Sequence, residues 1–230
     1  MKVEIWSDVM CPFCYLGKHK FENALSQFAD KEHIEVEWKS FQLNPELVTD
    51  PTISIHKYLS DIKGYPIEQA RQMNNRFMEA GKPFGLLYNF DQIIVANSYR
   101  AQNLIHFAKE QNKQNETEER LFEAYFTDGK NVDDVITLVQ LAMEIGLNTE
   151  GLNDILENKS YTKQVEFDIA QARQLGIRGV PHFVFDRKYS VSGAQESPVF
   201  LDTLKKSFAD WATKHPEVQR KAQTYSFKPE

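Results

Sequence analysis

The chain has 230 residues, enough to form one large domain or two small ones around a substantial hydrophobic core. Its formal net charge of −6 argues against a nucleic-acid partner, because phosphate binding requires a basic face. The sequence has no apolar run near the roughly 20 residues of a membrane-spanning helix, and its first apolar run includes acidic residues, unlike a signal peptide. We therefore expect a cytoplasmic protein that binds neither nucleic acid nor a membrane.

The first predicted elements are a strand over 3–6 and a helix that continues to about residue 28, joined by a Cys-Pro-Phe-Cys motif at 11–14. Pro12 suits the first position of a helix, which puts Cys11 at the N-cap and Cys14 in the first turn. The helix dipole and the free backbone amides at this end stabilise a thiolate on Cys11. Cys11 is therefore the predicted nucleophile, and Cys14 is predicted to resolve the mixed disulfide that it forms.

These two cysteines are the whole cysteine content of the chain. A reducing compartment disfavours structural disulfides, so a close pair indicates redox chemistry or a metal site. Zinc would need two further ligands, and the six histidines lack the paired spacing that zinc sites usually have. The pair therefore favours redox chemistry, and we expect no bound metal.

After the first helix, alternating apolar and polar residues over 34–41 predict a second strand. The connection through the helix makes the two strands parallel neighbours. Helical patterns then dominate, and we interpret 46–158 as an all-helical insertion. Its predicted helices lie at 66–81, 95–111, 116–126 and 132–145, while the polar stretch 112–119 is expected to be a solvated loop.

The last part of the chain returns to a mixed pattern, with a helix, a β-hairpin and a final helix that has Ser197 as its cap and Pro198 as its first residue. The first helix is predicted at 160–175, and the two strands of the hairpin are predicted at 182–185 and 189–192. The overall order is β-α-β, helical insertion, α-β-β-α. It predicts a thioredoxin-like domain of 1–45 and 159–215, an insertion domain of 46–158, and a loosely held tail over 216–230.

Three separated motifs carry a resemblance to a known family: the cysteine motif followed by Tyr-Leu-Gly at 15–17, Gly-Val-Pro at 179–181, and Val-Ser-Gly-Ala-Gln at 191–195. Together they resemble the FrnE-like branch of the DsbA family, within the thioredoxin superfamily of dithiol-disulfide oxidoreductases. The resemblance covers residues 3 to about 211. It implies an α/β fold of the DsbA-like type, which is a thioredoxin fold with a large helical insertion over the redox motif.

The same resemblance identifies a docking loop for the substrate. It implies a cis peptide bond between Val180 and Pro181, which turns the backbone of Val180 toward a thiol substrate beside Cys11. Pro181 therefore joins the two cysteines as a catalytic candidate. An ordinary turn proline at a strand edge is the structural alternative.

The resemblance also raises a question about the proton of Cys14. Several relatives have a buried acid on the first strand, at the position that Ile5 occupies here. This departure puts proton transfer through a buried carboxylate in doubt. Asp8 is the candidate substitute, either as a proton relay or as a residue that orders the loop through its hydrogen bonds.

Three further residues are candidates for binding the substrate. Phe13 supplies apolar bulk where strongly oxidising relatives have a histidine, which predicts a less oxidising redox couple. His182 follows the expected cis proline, and Asn97 lies on the predicted helix that the resemblance puts over the site. Both also fit ordinary structural roles, as a polar strand residue and a polar residue on a helix surface.

The expected function is a cytoplasmic thiol-disulfide oxidoreductase that acts on a thiol or disulfide of a protein or a small molecule. We expect no organic cofactor, although glutathione or a partner reductase must recycle the cysteine pair. The alternative is a glutathione-dependent isomerase or transferase of the hydroxychromene-carboxylate isomerase or kappa-class glutathione transferase type, which commonly has serine in place of the first cysteine. A non-catalytic binding module is a third hypothesis.

Overall fold

A mixed four-stranded sheet forms the centre of the computed structural model, which describes residues 1–216. The strands follow the order β2-β1-β3-β4 and are β1 (Lys2–Ser7), β2 (Glu35–Ser40), β3 (His182–Phe185) and β4 (Tyr189–Ser192). β1 is parallel to β2, whereas β3 is antiparallel to both β1 and β4. The predicted parallel pair and the predicted hairpin are both confirmed, while all but the first residue of the predicted tail lies outside the described residues.

Nine α-helices accompany this sheet within residues 1–216. They are α1 (Pro12–Ser26), α2 (Ile55–Lys63), α3 (Ile67–Gly81), α4 (Tyr99–Lys109), α5 (Gln114–Phe126), α6 (Val135–Glu144), α7 (Leu152–Glu157), α8 (Thr162–Gln174) and α9 (Ser197–Thr213). α2 to α7 lie between β2 and α8, so the thioredoxin fold with a helical insertion is confirmed. The exact domain boundaries remain predictions. None of these helices has both the length and the apolarity needed to cross a bilayer.

Alternating residues of the central strands supply the two faces of the sheet. On one face, Phe183 of β3 packs against Phe21 of α1 and Phe200 of α9, with ring centroids 5.4 and 4.6 Å away. On the other face, Trp6 of β1 belongs to a buried cluster with Ala172 of α8. Both faces are therefore covered, and this packing fixes the end of β1 from which the cysteine motif follows.

The structure corrects the starts of several helices, including α6, which begins at Val135 and not at residue 132. α4 begins at Tyr99 and not at residue 95, because Val95 forms an isolated antiparallel bridge with Asp50. α5 begins at Gln114, so part of the stretch expected to be a solvated loop is helical. α9 begins at Ser197 itself, and the residue before it is the N-cap.

Candidate active site

The two cysteines lie where β1 passes into α1. Cys11 is the N-cap of α1, Pro12 is its first residue, and Cys14 lies in its first turn. Both cysteines are free thiols, 3% and 0% exposed respectively. The predicted nucleophile therefore lies at the N-terminus of α1, as the position of Pro12 indicated.

Cys14 is the more deeply buried of the two thiols. Burial raises its pKa well above the ordinary value, and the neighbouring Cys11 raises it further. The backbone amide of Asp8 and the hydroxyl of Ser7 contact Cys14 and lower its pKa, but they do not reverse the shift. Cys14 therefore holds its proton at neutral pH and must give it to a base before its sulfur can attack.

The loop that precedes β3 lies against the motif. The peptide bond between Val180 and Pro181 is cis. The Cys11 thiol donates a hydrogen bond to the carbonyl oxygen of Val180, at a distance of 3.5 Å. The carbonyl of Pro181 accepts from the backbone amide of Gly193, at 2.8 Å, which holds the loop beside β4. The structure thus brings Cys11, Val180 and the adjacent proline into one site.

Gly17 allows α1 to approach this loop closely, because an added Cβ there would lie 2.9 Å from Cγ of Pro181. We expect Gly17→Ala to lower the free energy of unfolding by about 1 kcal/mol, since an overpacking cost of roughly 1–3 kcal/mol outweighs a gain of about 1 kcal/mol in helix propensity. Urea denaturation measures this difference. Gly179→Ala is the control, because a Cβ at Gly179 meets nothing within 4 Å and stability should hold or rise slightly. A Gly17→Ala variant as stable as the wild type would contradict the close packing.

An apolar cavity of about 290 Å³ lies beside Cys11, between the motif and helices α2 and α3. Of the described residues that line it, Lys63 alone carries a charge. Phe13 also lines it, is 50% exposed, and packs edge to face on Phe77 with ring centroids 4.6 Å apart. The cavity can therefore receive an apolar group next to the Cys11 sulfur.

Asp8 is fully buried next to the motif. Its carboxylate accepts hydrogen bonds from the backbone amides of Leu43, at 2.7 Å, and Met10, at 3.2 Å, and from Ser98. Burial raises the pKa of Asp8, whereas these hydrogen bonds lower it. Because they tie the loop after β2 to the motif, the contacts favour loop ordering over proton relay as the role of Asp8.

The two remaining candidates are His182 and Asn97. His182 is half-buried on β3 opposite Trp6, and burial lowers its pKa, which favours the neutral imidazole. Asn97 precedes α4, where its side chain accepts from the amide of Tyr99 and donates to the carbonyl of Leu47, both at 2.8 Å. It lines a separate depression and so is not brought to the cysteines.

Glu118 of α5 is a buried acid that the sequence reading missed. It is 1% exposed and accepts a hydrogen bond from the hydroxyl of Ser7 at 2.6 Å. Burial raises the pKa of Glu118 to about 7. The available signal was its spacing, because Glu118 precedes the apolar residues Leu121 and Phe122 by three and four positions and so shares their helix face.

A zinc site at the motif would require the cysteines to meet other ligands. Within residues 1–216, neither cysteine belongs to a group of three or more histidine, cysteine or carboxylate side chains that could share one metal ion. The arrangement of a nucleophilic thiol, a buried second thiol and an adjacent backbone carbonyl is instead suited to disulfide exchange.

Residues 2–205 match the family model of the DSBA-like thioredoxin domain. The crystal structure of a probable DsbA oxidoreductase from Streptomyces coelicolor is similar, with a TM-score of 0.85 and 34% identity over 91% of this chain and 90% of that one. The uncharacterized protein YwbO of Bacillus subtilis (strain 168) is 29% identical over 201 residues, which are 86% of this chain and 92% of that protein. The cytosolic disulfide reductase DsbM from Pseudomonas aeruginosa, also solved with GSH, shares the fold at 15% identity and a TM-score of 0.62, over 94% of this chain and 99% of that one. The chain therefore belongs to the DsbA-like thioredoxin-domain family.

Proposed function

We propose that this protein is a cytoplasmic thiol-disulfide oxidoreductase of the FrnE-like branch of the family. One observation carries the proposal: Cys11 caps α1 within 3.5 Å of the Val180 carbonyl, while Cys14 lies buried behind it with its proton retained. Family membership supports disulfide exchange in general. The likeness to a cytosolic disulfide reductase agrees with a cytoplasmic role, although at 15% identity it extends to the fold alone.

The proposed exchange has two steps. The Cys11 thiolate attacks a substrate disulfide, which forms a mixed disulfide with one substrate sulfur and releases the other as a thiolate. Cys14 then loses its proton and attacks Cys11, which closes the bond between the two cysteines and releases the second substrate thiolate. The substrate disulfide gains two electrons and the cysteine pair loses two. Oxidation of a dithiol substrate follows the same steps in reverse.

The docking loop gives this substrate a place to bind. The Val180 carbonyl accepts a hydrogen bond from the Cys11 thiol, and ionisation of Cys11 removes that donor. The freed carbonyl can then accept a hydrogen bond from a backbone amide of an extended substrate. This is the kind of backbone hydrogen bond that a peptide makes when it adds a strand to a sheet. Phe13 and Val180 both line the apolar cavity beside Cys11, which suits an apolar group next to the reacting sulfur.

The cysteine pair must be recycled by an external thiol. We propose glutathione or a partner reductase for this role, with glutathione as a redox co-substrate and not as a resident cofactor. The structure of DsbM with GSH is consistent with such use in this fold. The alternative, a glutathione-dependent isomerase or transferase, has no need of a second thiol, so the presence of Cys14 one turn behind Cys11 favours redox chemistry.

Equilibration of the reduced protein with glutathione disulfide tests the proposed function. We expect each protein molecule to form the disulfide between Cys11 and Cys14 and to release two molecules of glutathione, and excess glutathione should reverse the reaction. Mass spectrometry of alkylated protein counts the free thiols. Cysteines that stay reduced in glutathione disulfide, together with catalysis of isomerisation or conjugation, would favour the alternative. A binding module predicts that alkylation of both thiols leaves the cellular role unchanged.

A further inference from the structure

We propose that Glu118, acting through the hydroxyl of Ser7, takes the proton of Cys14 when that sulfur attacks the mixed disulfide on Cys11. The inference rests on the proposed thiol-disulfide exchange and assigns a positioning residue to its second step. Ser7 is the last residue of β1, while Glu118 lies in α5 of the predicted helical insertion. The insertion would therefore supply part of the redox machinery.

The hydroxyl of Ser7 connects the thiol to the carboxylate. Its Oγ donates to Oε1 of Glu118 at 2.6 Å, and the same hydroxyl is near enough to Cys14 to affect the pKa of that thiol. A hydroxyl can accept one hydrogen bond while it donates another. Ser7 can therefore receive the proton of Cys14 as it passes its own to Glu118.

Glu118 has a free oxygen in a buried position. Among residues 1–216, its Oε2 atom has neither solvent exposure nor a hydrogen-bond partner. A buried carboxylate that is only partly hydrogen-bonded pays a desolvation cost that most native groups avoid. Uptake of a proton removes the buried charge, so the site is built to accept one.

Beyond burial, four groups set the proton affinity of Glu118, and they come from β1, the loop after it, α1 and α5. The Lys18 ammonium of α1 and the Ser7 hydroxyl favour its ionised form, whereas the Asp8 and Glu119 carboxylates oppose it. The result is a pKa of about 7, which matches the working pH of a general base.

The two neighbouring carboxylates are less suited to this role. Burial raises the pKa of Asp8 as well, but both of its oxygens already accept hydrogen bonds from backbone amides, whereas Oε2 of Glu118 has no partner among residues 1–216. Glu119 pairs with the Lys18 ammonium at 2.6 Å and with His19 at 2.9 Å, and these partners lower the pKa of Glu119 to about 2. Glu119 therefore stays ionised through the neutral range and does not take up the proton.

A stopped-flow reaction with 5,5′-dithiobis(2-nitrobenzoate) tests the inference. Reduced protein mixed with one equivalent of this reagent should release one coloured thiolate when Cys11 attacks and a second when Cys14 closes the disulfide. In the wild type, we expect the second phase to slow as the pH falls through about 7, because protonated Glu118 accepts no further proton. Glu118→Gln should slow this phase by roughly tenfold or more at pH 7 and remove its inflection, with the first phase unchanged.

Two further variants make the result specific. Ser7→Ala keeps the Glu118 carboxylate but removes the hydroxyl that connects it to Cys14, and it should reproduce the slow second phase. Glu116→Gln removes an exposed carboxylate from the same helix and should keep both phases at wild-type rates. A second phase with the wild-type rate and pH profile in Glu118→Gln or Ser7→Ala would overturn the inference, and so would equal slowing of both phases. A wild-type protein that releases no thiolate at all would instead remove the proposed function, and the inference with it.

Discussion

Replacement of Cys14 by alanine is expected to trap substrates on Cys11 as mixed disulfides. Cys14 lies one turn from Cys11 in the same helix, so its thiol attacks at an effective concentration far above that of any free thiol. Without it, release depends on attack by external glutathione. We expect the mixed disulfide to be lost on the order of 10³-fold more slowly than in the wild type. Non-reducing electrophoresis and mass spectrometry of the purified variant, after reaction with a peptide disulfide, measure its lifetime.

A second variant separates trapping from adventitious thiol chemistry. Cys11→Ala retains the buried Cys14 and should capture nothing, because a fully buried thiol that holds its proton is a poor nucleophile. Wild-type turnover by Cys14→Ala would remove Cys14 from the mechanism. When the trap works in cells, the captured molecules also decide whether the substrates are proteins or small thiols.

The local architecture of the motif was predictable because short-range rules determine it. Pro12 at the first helical position and the cysteine before it at the N-cap follow from the chemistry of helix starts. The parallel pairing of β1 and β2 follows from the handedness of the βαβ connection. The β3-β4 hairpin has a tight turn in which Asp186 and Arg187 both have positive φ, at 47° and 53°. The predicted strands at 182–185 and 189–192 leave only residues 186–188 for this turn, so their alternating pattern sufficed to predict the hairpin.

The start of α4 was not predictable for the opposite reason. Val95 and Ala96 continue the apolar pattern of the following helix, and both are fully buried. Val95 nevertheless pairs with Asp50, which lies 45 positions earlier in the chain. Helical periodicity records burial and not the partner that causes it, so this contact overrode the local signal. The same error put Asn97 on a helix that begins only after it.

The buried acid escaped prediction because its partner is distant in sequence. Glu118 follows a polar stretch, and its hydrogen-bond partner Ser7 is 111 positions away. The isoleucine at position 5 correctly indicated that β1 supplies no acid there, since Ile5 is fully buried in the core. It gave no information about the carboxylate that α5 brings to Ser7. A sequence pattern identifies which residues share a helix face, but not which buried polar group they meet.

Glu118→Gln is expected to become more stable relative to the wild type as the pH rises. In the folded wild type, Glu118 ionises with a pKa of about 7, whereas in the unfolded chain it ionises near its ordinary value of 4.5. A raised pKa in the folded state adds stability that is fully present below pH 4.5 and is lost as the pH rises through about 7. This difference corresponds to about 3 kcal/mol for a fully buried group. Glutamine does not titrate, so the variant escapes the loss.

Urea denaturation at pH 4 and pH 8 gives the free energy of unfolding of the variant and of the wild type. The effect is the change, between the two pH values, in the difference between these free energies. The buried amide of glutamine adds a cost of roughly 1–3 kcal/mol if its second hydrogen remains unpaired, but this cost is the same at every pH. It lowers the free energy of unfolding of the variant equally at every pH and leaves the pH-dependent difference of about 3 kcal/mol intact. Glu116→Gln changes an exposed carboxylate on the same helix and should show no comparable trend. If the difference in the free energy of unfolding between Glu118→Gln and the wild type stays constant from pH 4 to pH 8, Glu118 ionises normally in the folded protein. Glu118 would then be a poor acceptor for the Cys14 proton.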